Sequence, residues 1–219
     1  MADLQVIEIF DSLQGEGYWT GTPMTFIRLA GCNAPGLGLD CVRWCDTAGS
    51  WDPATGESLP VEAVVERVHF PRLCLTGGEP LLQSDGVAAL VAEAHRCGIR
   101  VHLETNGTIA PPPGAPAVGA DSWDEQSFDW VVVSPKPPGF LIAPEWAGVI
   151  DELKLVVDEG MDAVTAERLA LESRGAIVSV QPLWDGSSRK LSEDRAVRLV
   201  LDHPDWRLSL QTHKYLGIR

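Results

Sequence analysis

Basic residues are scarce in this chain: 17 lysines and arginines stand against 31 aspartates and glutamates, for a formal charge of -14. Phosphate backbones are gripped by clustered Lys and Arg, so no nucleic-acid partner is expected and a small-molecule substrate fits better. Long apolar runs are missing too. None approaches the ~20 residues a membrane-spanning helix needs, and no membrane partner is expected. The opening Met1-Ala-Asp-Leu-Gln5 has neither the basic region nor the apolar stretch of a secretory signal. Five cysteines are few and odd in number, which argues against a disulfide framework. A cytoplasmic protein with reduced thiols is expected. Internal repeats and low-complexity tracts are absent, and the length suits one domain over residues 1–219 with a core of its own. The acidic residues Asp121, Asp124, Glu125 and Asp129 read as a solvated face.

Periodicity supplies a coarse map. Strand-like runs lie at 6–10, 25–30, 73–76, 100–104, 130–134, 152–157, 176–181 and 206–211, and amphipathic helical patterns at 61–69, 87–97, 162–173 and 192–203. Strands alternating with helices predict an α/β fold with a parallel sheet and right-handed crossovers. About six core strands are too few for an eight-stranded barrel, so an open, partial (β/α) barrel is expected. The Pro/Gly-rich stretch 111–119 has no helical period and reads as a surface loop in place of a crossover helix.

Three of the five cysteines, Cys32, Cys41 and Cys45, share one Gly/Pro-bent loop. Free cysteine is often only a small buried hydrophobe, and Cys74, inside a strand, and Cys97, ending a helical pattern beside Gly98, are expected in the core. Three thiolates in one loop suit a four-iron four-sulfur cluster with one iron left free for a small molecule.

The remaining unusual residues fall at strand ends: Thr76-Gly-Gly-Glu-Pro80, Glu104-Thr-Asn-Gly107, Ser134-Pro-Lys136 and Gln181-Pro182. Each has a plain reading. Gly77-Gly78 can be a tight turn, Glu79 a helix-start acid, the Glu104 sequence a turn, and Lys136 a solvated loop cation. In parallel α/β sheets, however, loops at the carboxyl edge converge on the ligand, and all of these motifs sit at that edge.

Together, the cysteine loop, the Gly-Gly-Glu-Pro turn and the later strand ends resemble a radical S-adenosylmethionine enzyme. With Leu13-Gln-Gly-Glu-Gly17, Phe26-Ile-Arg-Leu-Ala-Gly-Cys-Asn33, Trp44-Cys-Asp-Thr47, Val133-Ser-Pro-Lys136, Glu152-Leu-Lys154 and Leu208-Ser-Leu-Gln-Thr-His-Lys-Tyr-Leu216, the series is similar to the 7-carboxy-7-deazaguanine synthase family from Ile9 to the last residue. One departure stands out. Most of that family space the three cysteines more closely, whereas eight residues separate Cys32 from Cys41 and three separate Cys41 from Cys45. Counting back from Cys45, the middle ligand would fall on Val42, which cannot bind iron. Cys41 is the nearby thiolate, with Gly36 and Gly38 giving the longer loop freedom to bring it in.

The resemblance implies a lyase that contracts the ring of 6-carboxy-5,6,7,8-tetrahydropterin to 7-carboxy-7-deazaguanine with loss of ammonia. An electron from flavodoxin or ferredoxin would reduce a [4Fe-4S] cluster held by Cys32, Cys41 and Cys45, and the 5'-deoxyadenosyl radical then formed would take a hydrogen from carbon 6. S-adenosyl-L-methionine would be bound by Gly78, Glu79, Ser134, Pro135, Lys136, Gln181, Pro182, Leu183 and Asp185, with Trp184 as an extra residue in that last segment. Mg2+ prefers oxygen ligands, and Thr47 matches the family's single protein ligand. Arg28, a planar fork on the cluster-bearing strand, suits the substrate carboxylate. Leu13, Gln14, Gly15, Glu16 and Thr76 offer neutral acceptors and donors to the pterin edge, and His213 and Arg219 would close the site. The resemblance also implies a homodimer. Two other readings stay open. A glycyl-radical activase would share the cysteines and the Gly-Gly-Glu turn but not the N- and C-terminal motifs. A non-catalytic zinc module would use the same three cysteines with a fourth ligand.

Overall fold

The strand-forming runs pair into one nine-stranded sheet in the computed structural model, which describes residues 3–112, 127–158, 160–184 and 189–219. The strands are β1 (Asp3–Leu13), β2 (Pro23–Leu29), β3 (Glu57–Pro60), β4 (Arg72–Gly77), β5 (Arg100–Thr105), β6 (Trp130–Val133), β7 (Glu152–Val157), β8 (Ile177–Pro182) and β9 (Arg207–Leu208), in the order β3-β1-β2-β4-β5-β6-β7-β8-β9. Every pairing from β2 through β9 is parallel. The expected parallel core is therefore present, extended by the short β9.

The first strand departs from that pattern. β1 runs antiparallel to both β2 and β3, because residues 14–22 are too short for the crossover of a dozen or more residues that parallel pairing needs. β3, Glu-Ser-Leu-Pro, escaped the sequence map: it is short, mostly exposed, and lies at the sheet edge where Pro is tolerated.

Helices α1 (Val61–Val65) and α2 (Ser84–Arg96) cover the first half of the sheet. α2 turns Val87, Leu90, Val91 and Ala94 inward at helical spacing. Helices α3 (Ala163–Glu172) and α4 (Arg189–Asp202) pack with β7 and β8 in a second apolar cluster. The Asp162 carboxylate accepts the Thr165 N–H at 2.7 Å and caps α3. A last helix, α5 (Thr212–Leu216), follows β9. Among the described residues no α-helix separates β6 from β7, where the fully buried Trp146 joins the core and donates its indole N–H to Ile109 O at 2.8 Å. The loop expected at 111–119 lies outside the described residues from 113 onward, as do Asp121, Asp124 and Glu125. No helix among the described residues is long and apolar enough to cross a membrane.

Three local expectations are corrected. Cys97 is exposed, not in the core, since the chain turns at Gly98 and leaves the thiol 3.9 Å from Glu93 on the outer face. Asp129 is not solvated: it accepts the Val101 N–H at 2.7 Å and pairs with His95 at 2.9 Å. The strand expected at 206–211 shrinks to Arg207–Leu208, because the chain then leaves the sheet toward the first strand.

That departure shapes the molecule. Thr212 N–H donates to Gly15 O at 2.9 Å, Ser209 Oγ accepts the Gly17 N–H at 2.8 Å, and the Tyr18 N–H reaches both Glu152 oxygens at 3.1 and 3.2 Å. Segments near opposite ends of the strand order thus touch, which requires the sheet to curl. The result is an open barrel whose gap is bridged by loops rather than by a strand pair.

Candidate active site

One cavity occupies the carboxyl edge of the curled sheet. Its cysteine wall follows β2. Gly31 N–H donates to Ser50 O at 2.7 Å and Cys32 N–H to Trp51 O at 3.1 Å, so the loop closes on itself. Within it, Leu37 N–H bonds Asn33 O and Leu39 N–H bonds Ala34 O, both at 3.0 Å, folding the long spacer back. Asp40 N–H is then pinned to Pro137 O at 2.8 Å, and a 3-10 turn over Asp40–Arg43 carries Cys41. Cys32, Cys41 and Cys45 all line the cavity, whereas Val42 packs against the small cluster of Ala34, Leu39 and Cys41.

Burial pushes the Cys41 thiol up to about 11, with Lys136 opposing and the Cys32 and Cys45 thiols adding to the rise; Cys32 is raised chiefly by burial as well. Among the described residues, no three His, Cys, Asp or Glu side chains converge as a single metal ion would require. A zinc ion needs its sulfurs ~2.3 Å from one point, which disfavours the zinc-module reading. In an iron–sulfur cluster each thiolate caps a different iron, so three spaced thiols on one wall fit that group.

The Gly77-Gly78 turn is packed against the start of this loop. A Cβ on Gly78 would lie 2.1 Å from Gly31 O and 2.8 Å from Cys32 Cβ, so only glycine lets the two backbones approach. Thr76 and Gly78 face the cavity. Glu79 does not: it is fully buried behind the wall, accepting from Thr105 Oγ1 and Asn106 N at 2.8 Å and from Leu81 N at 3.2 Å. Burial raises its pKa despite these donors. Its carboxylate thereby ties the β4 turn to the end of β5.

The floor is ionic. Lys154 Nζ lies 2.6 Å from Glu16 Oε2 and 3.1 Å from Glu104 Oε2; Gln14 Nε2 donates to Glu104 Oε1 at 3.1 Å, and Gln211 Nε2 to Glu16 Oε1 at 2.7 Å. Burial alone would raise Glu16, but the Lys154 ammonium and the donors from Lys154 and Gln211 outweigh it and hold the carboxyl at about 2, so Glu16 is an ionised acceptor and not the neutral one expected from the sequence. Lys154 is the converse: burial disfavours its charge, and the two carboxylates more than restore it.

On the far wall, Lys136 Nζ donates to Ser134 Oγ at 2.7 Å, and Ser209 Oγ donates to Gln181 Oε1 at 3.1 Å. Ser134, Lys136, Gln181, Pro182 and Leu183 line the cavity; Pro135 does not, and Asp185 lies outside the described residues. Lys136 is buried enough to lower its pKa, not a solvated loop cation. Leu13, Gln14, Gly15, Glu16 and Arg28 line the near wall, and Thr47 lies beside the thiols with Oγ1 3.5 Å from Cys45 Sγ. His213 and Arg219, from the C-terminal segment, also line the cavity. His213 leaves no room for a Cβ on Gly15, which would sit 2.1 Å from its Nδ1.

Several cavity residues had no role assigned from sequence: Glu104, Lys154, Asn106, Gln211, Lys214 and Trp184. The signal for Lys154 was present, since a lysine inside the buried strand Glu-Leu-Lys-Leu-Val-Val must have charged partners.

No family model matches the chain. Proteins named 7-carboxy-7-deazaguanine synthase do. That of Bordetella pertussis is 37% identical over 230 residues, covering 97% of this chain and 98% of its own length. That of Synechocystis is 35% identical over 223 residues, covering 98% and 93%, and that of Bacteroides thetaiotaomicron 39% identical over 217 residues, covering 98% of each. The crystal structure of QueE from Escherichia coli shares the fold with a TM-score of 0.74 at 24% identity, covering 96% of this chain and 95% of that one.

Proposed function

The chain belongs to the 7-carboxy-7-deazaguanine synthase family of radical S-adenosylmethionine lyases, and on that premise we propose how its cavity divides the conversion of 6-carboxy-5,6,7,8-tetrahydropterin to 7-carboxy-7-deazaguanine. The observation that carries the reading is the meeting of three thiols, a guanidinium wall and a Gln14–Glu104–Lys154–Glu16 floor around one cavity.

Cys32, Cys41 and Cys45 would hold the [4Fe-4S] cluster. S-adenosyl-L-methionine would lie along Gly78, Ser134, Lys136, Gln181, Pro182 and Leu183. Glu79 and Pro135 then act from behind that wall, Glu79 by fixing the Gly78 turn. When bound, cluster and cofactor supply the radical chemistry.

The chain's own side chains bind and orient. Arg28 takes the substrate carboxylate as a planar fork. Gln14, with the backbone of Leu13 and Gly15, and Thr76 supply donors and acceptors to the pterin edge, and Glu16 is kept ionised by Lys154. Thr47 would offer Mg2+ a hydroxyl oxygen, the kind of ligand that ion prefers. His213 and Arg219 would close the site from the C-terminal side. A flavodoxin or ferredoxin as electron donor, a homodimeric assembly and a reducing cytoplasmic setting complete the proposal.

Anaerobic purification and reconstitution, followed by incubation with 6-carboxytetrahydropterin, S-adenosylmethionine, Mg2+ and a reductant, tests it. Formation of 7-carboxy-7-deazaguanine is expected. A loaded cluster with no product would overturn the substrate assignment.

A further inference from the structure

Along β1, alternate residues share one face, and on the cavity side that face presents Glu8, Phe10 and Ser12. All three touch Arg219. Glu8 Oε2 pairs with the Arg219 guanidinium, whose carbon lies 4.9 Å from the Phe10 ring centre, and Ser12 Oγ donates to the Arg219 carbonyl. The same Glu8 holds Arg28 through its other oxygen, Oε1 to Nε at 2.8 Å. Glu8 and Arg28 face each other across the β1–β2 pair, one step along from Phe10 and Phe26, whose rings stack at 5.2 Å and 10°. Arg28 and Arg219 both line the cavity, but Glu8 does not.

Two guanidiniums on one wall repel unless an anion lies between them. Resting on the family reading above, we propose that Glu8 is a positioning residue: one carboxylate, bidentate between Arg28 Nε and Arg219, holds the two forks side by side as an anion site for the pterin carboxylate. Phe10 lies beneath both forks, its ring centre 6.0 Å from the Arg28 guanidinium carbon and 4.9 Å from that of Arg219, and Phe26 stacks on Phe10. Arg28 is tethered through Nε, which leaves its terminal nitrogens free to reach a ligand. The Arg219 side chain is mostly exposed, so without Glu8 and the ring beneath it nothing in this wall would hold that fork in place.

The test compares binding of 6-carboxytetrahydropterin, unsubstituted tetrahydropterin and S-adenosylmethionine to the reconstituted wild type and to the Glu8→Gln and Arg219→Gln variants. Glu8→Gln is expected to weaken the carboxylated pterin roughly tenfold or more, the worth of one charge-assisted hydrogen bond. The unsubstituted pterin and S-adenosylmethionine should bind unchanged. Arg219→Gln should give the same selective loss, and the double variant little more than either single one. A Glu8→Gln protein that keeps wild-type affinity for the carboxylated pterin, or that loses all three ligands alike, overturns the proposal; the second result would mark Glu8 as structural only. A wild type that does not distinguish the two pterins would overturn the substrate reading and this site with it. A distinction retained in both single variants would overturn this site alone.

Discussion

Lys214 Nζ lies 2.7 Å from Asp46 Oδ2, joining the last helix to the residue that follows Cys45. The same ammonium donates to Gln211 Oε1 at 3.1 Å, and Gln211 Nε2 in turn donates to Glu16 Oε1 at 2.7 Å. Asp46 is more than half exposed, so the pair contributes at most about 1 kcal/mol to stability. Its effect is on position, because α5 carries His213 and leads to Arg219. Lys214→Met is expected to leave the melting temperature nearly unchanged and to raise KM for the pterin several-fold. Steady-state kinetics check this, with the charge-reversed pair Lys214→Glu/Asp46→Lys recovering part of the loss. An unchanged KM in Lys214→Met would refute it.

Lys154 is a different case, since its side chain is 8% exposed and flanked by two carboxylates. Removing it leaves Glu16 and Glu104 buried without a counter-charge, a loss of about 3–5 kcal/mol. Urea unfolding of Lys154→Met should show a loss of that size. Adding Glu16→Gln should recover part of the stability, because a neutral amide needs no counter-ion, although not the activity. If Lys154→Met unfolds at the wild-type midpoint, the network is not ionised as described.

The contrast between these two lysines also explains what was legible in the sequence. Strand runs ending in Leu-Thr-Gly-Gly and Val-Ser-Pro-Lys let periodicity locate the carboxyl edge, whereas the roles of the residues along it came from the family resemblance. Lys154 sits inside an apolar strand and within the Glu152-Leu-Lys154 motif, but neither its role nor its partners could be read there. What remained hidden depends on chain closure over long separations. Nothing local predicts that Thr212 meets Gly15, that Asp46 meets Lys214, or that Glu8 joins two arginines. β1 read as one more strand of a parallel series because its direction is set by the length of the link to β2, not by its own side chains. Asp129 looked solvated for a similar reason: its partners, His95 and the Val101 N–H, come from α2 and β5.

Gly78 sets the approach of the β4 turn to the cysteine loop. A methyl group there meets Gly31 O, a backbone atom that cannot rotate away, so Gly78→Ala must displace the residue next to Cys32. Reconstituted Gly78→Ala is expected to retain little of the wild-type iron. Gly49→Ala, where a Cβ meets nothing within 4 Å, should retain it fully. Equal iron in the two variants would contradict the tight packing.

The cysteines separate by position. Cys41→Ala should abolish the cluster's visible absorbance and its iron, even though Val42 sits beside it, because Val42 packs into the loop's own apolar cluster. Cys74, buried against Met24 and Phe26, should tolerate alanine with full iron content at a stability cost of about 1 kcal/mol for the small cavity. Iron retained by Cys41→Ala would remove it from the ligand set.

His102 gives the fold a pH dependence of its own. The ring is buried in β5, 5.2 Å from Trp19 and 6.5 Å from Trp130, and burial, aided by Arg72, lowers its pKa from 6.5 to about 4, against the pull of Asp129. The unfolded chain therefore binds a proton near pH 6.5 that the folded chain refuses until about pH 4. Stability is full above that window and falls as pH drops through it, by up to about 1.4 kcal/mol per pH unit. Between pH 7 and pH 5 the expected loss from this one group is about 2 kcal/mol. His102→Phe has no proton to take up, so its stability should fall less than the wild type's by that amount over the same interval, as read from urea midpoints at the two pH values. Parallel losses in the two proteins would show that His102 is not the titrating group.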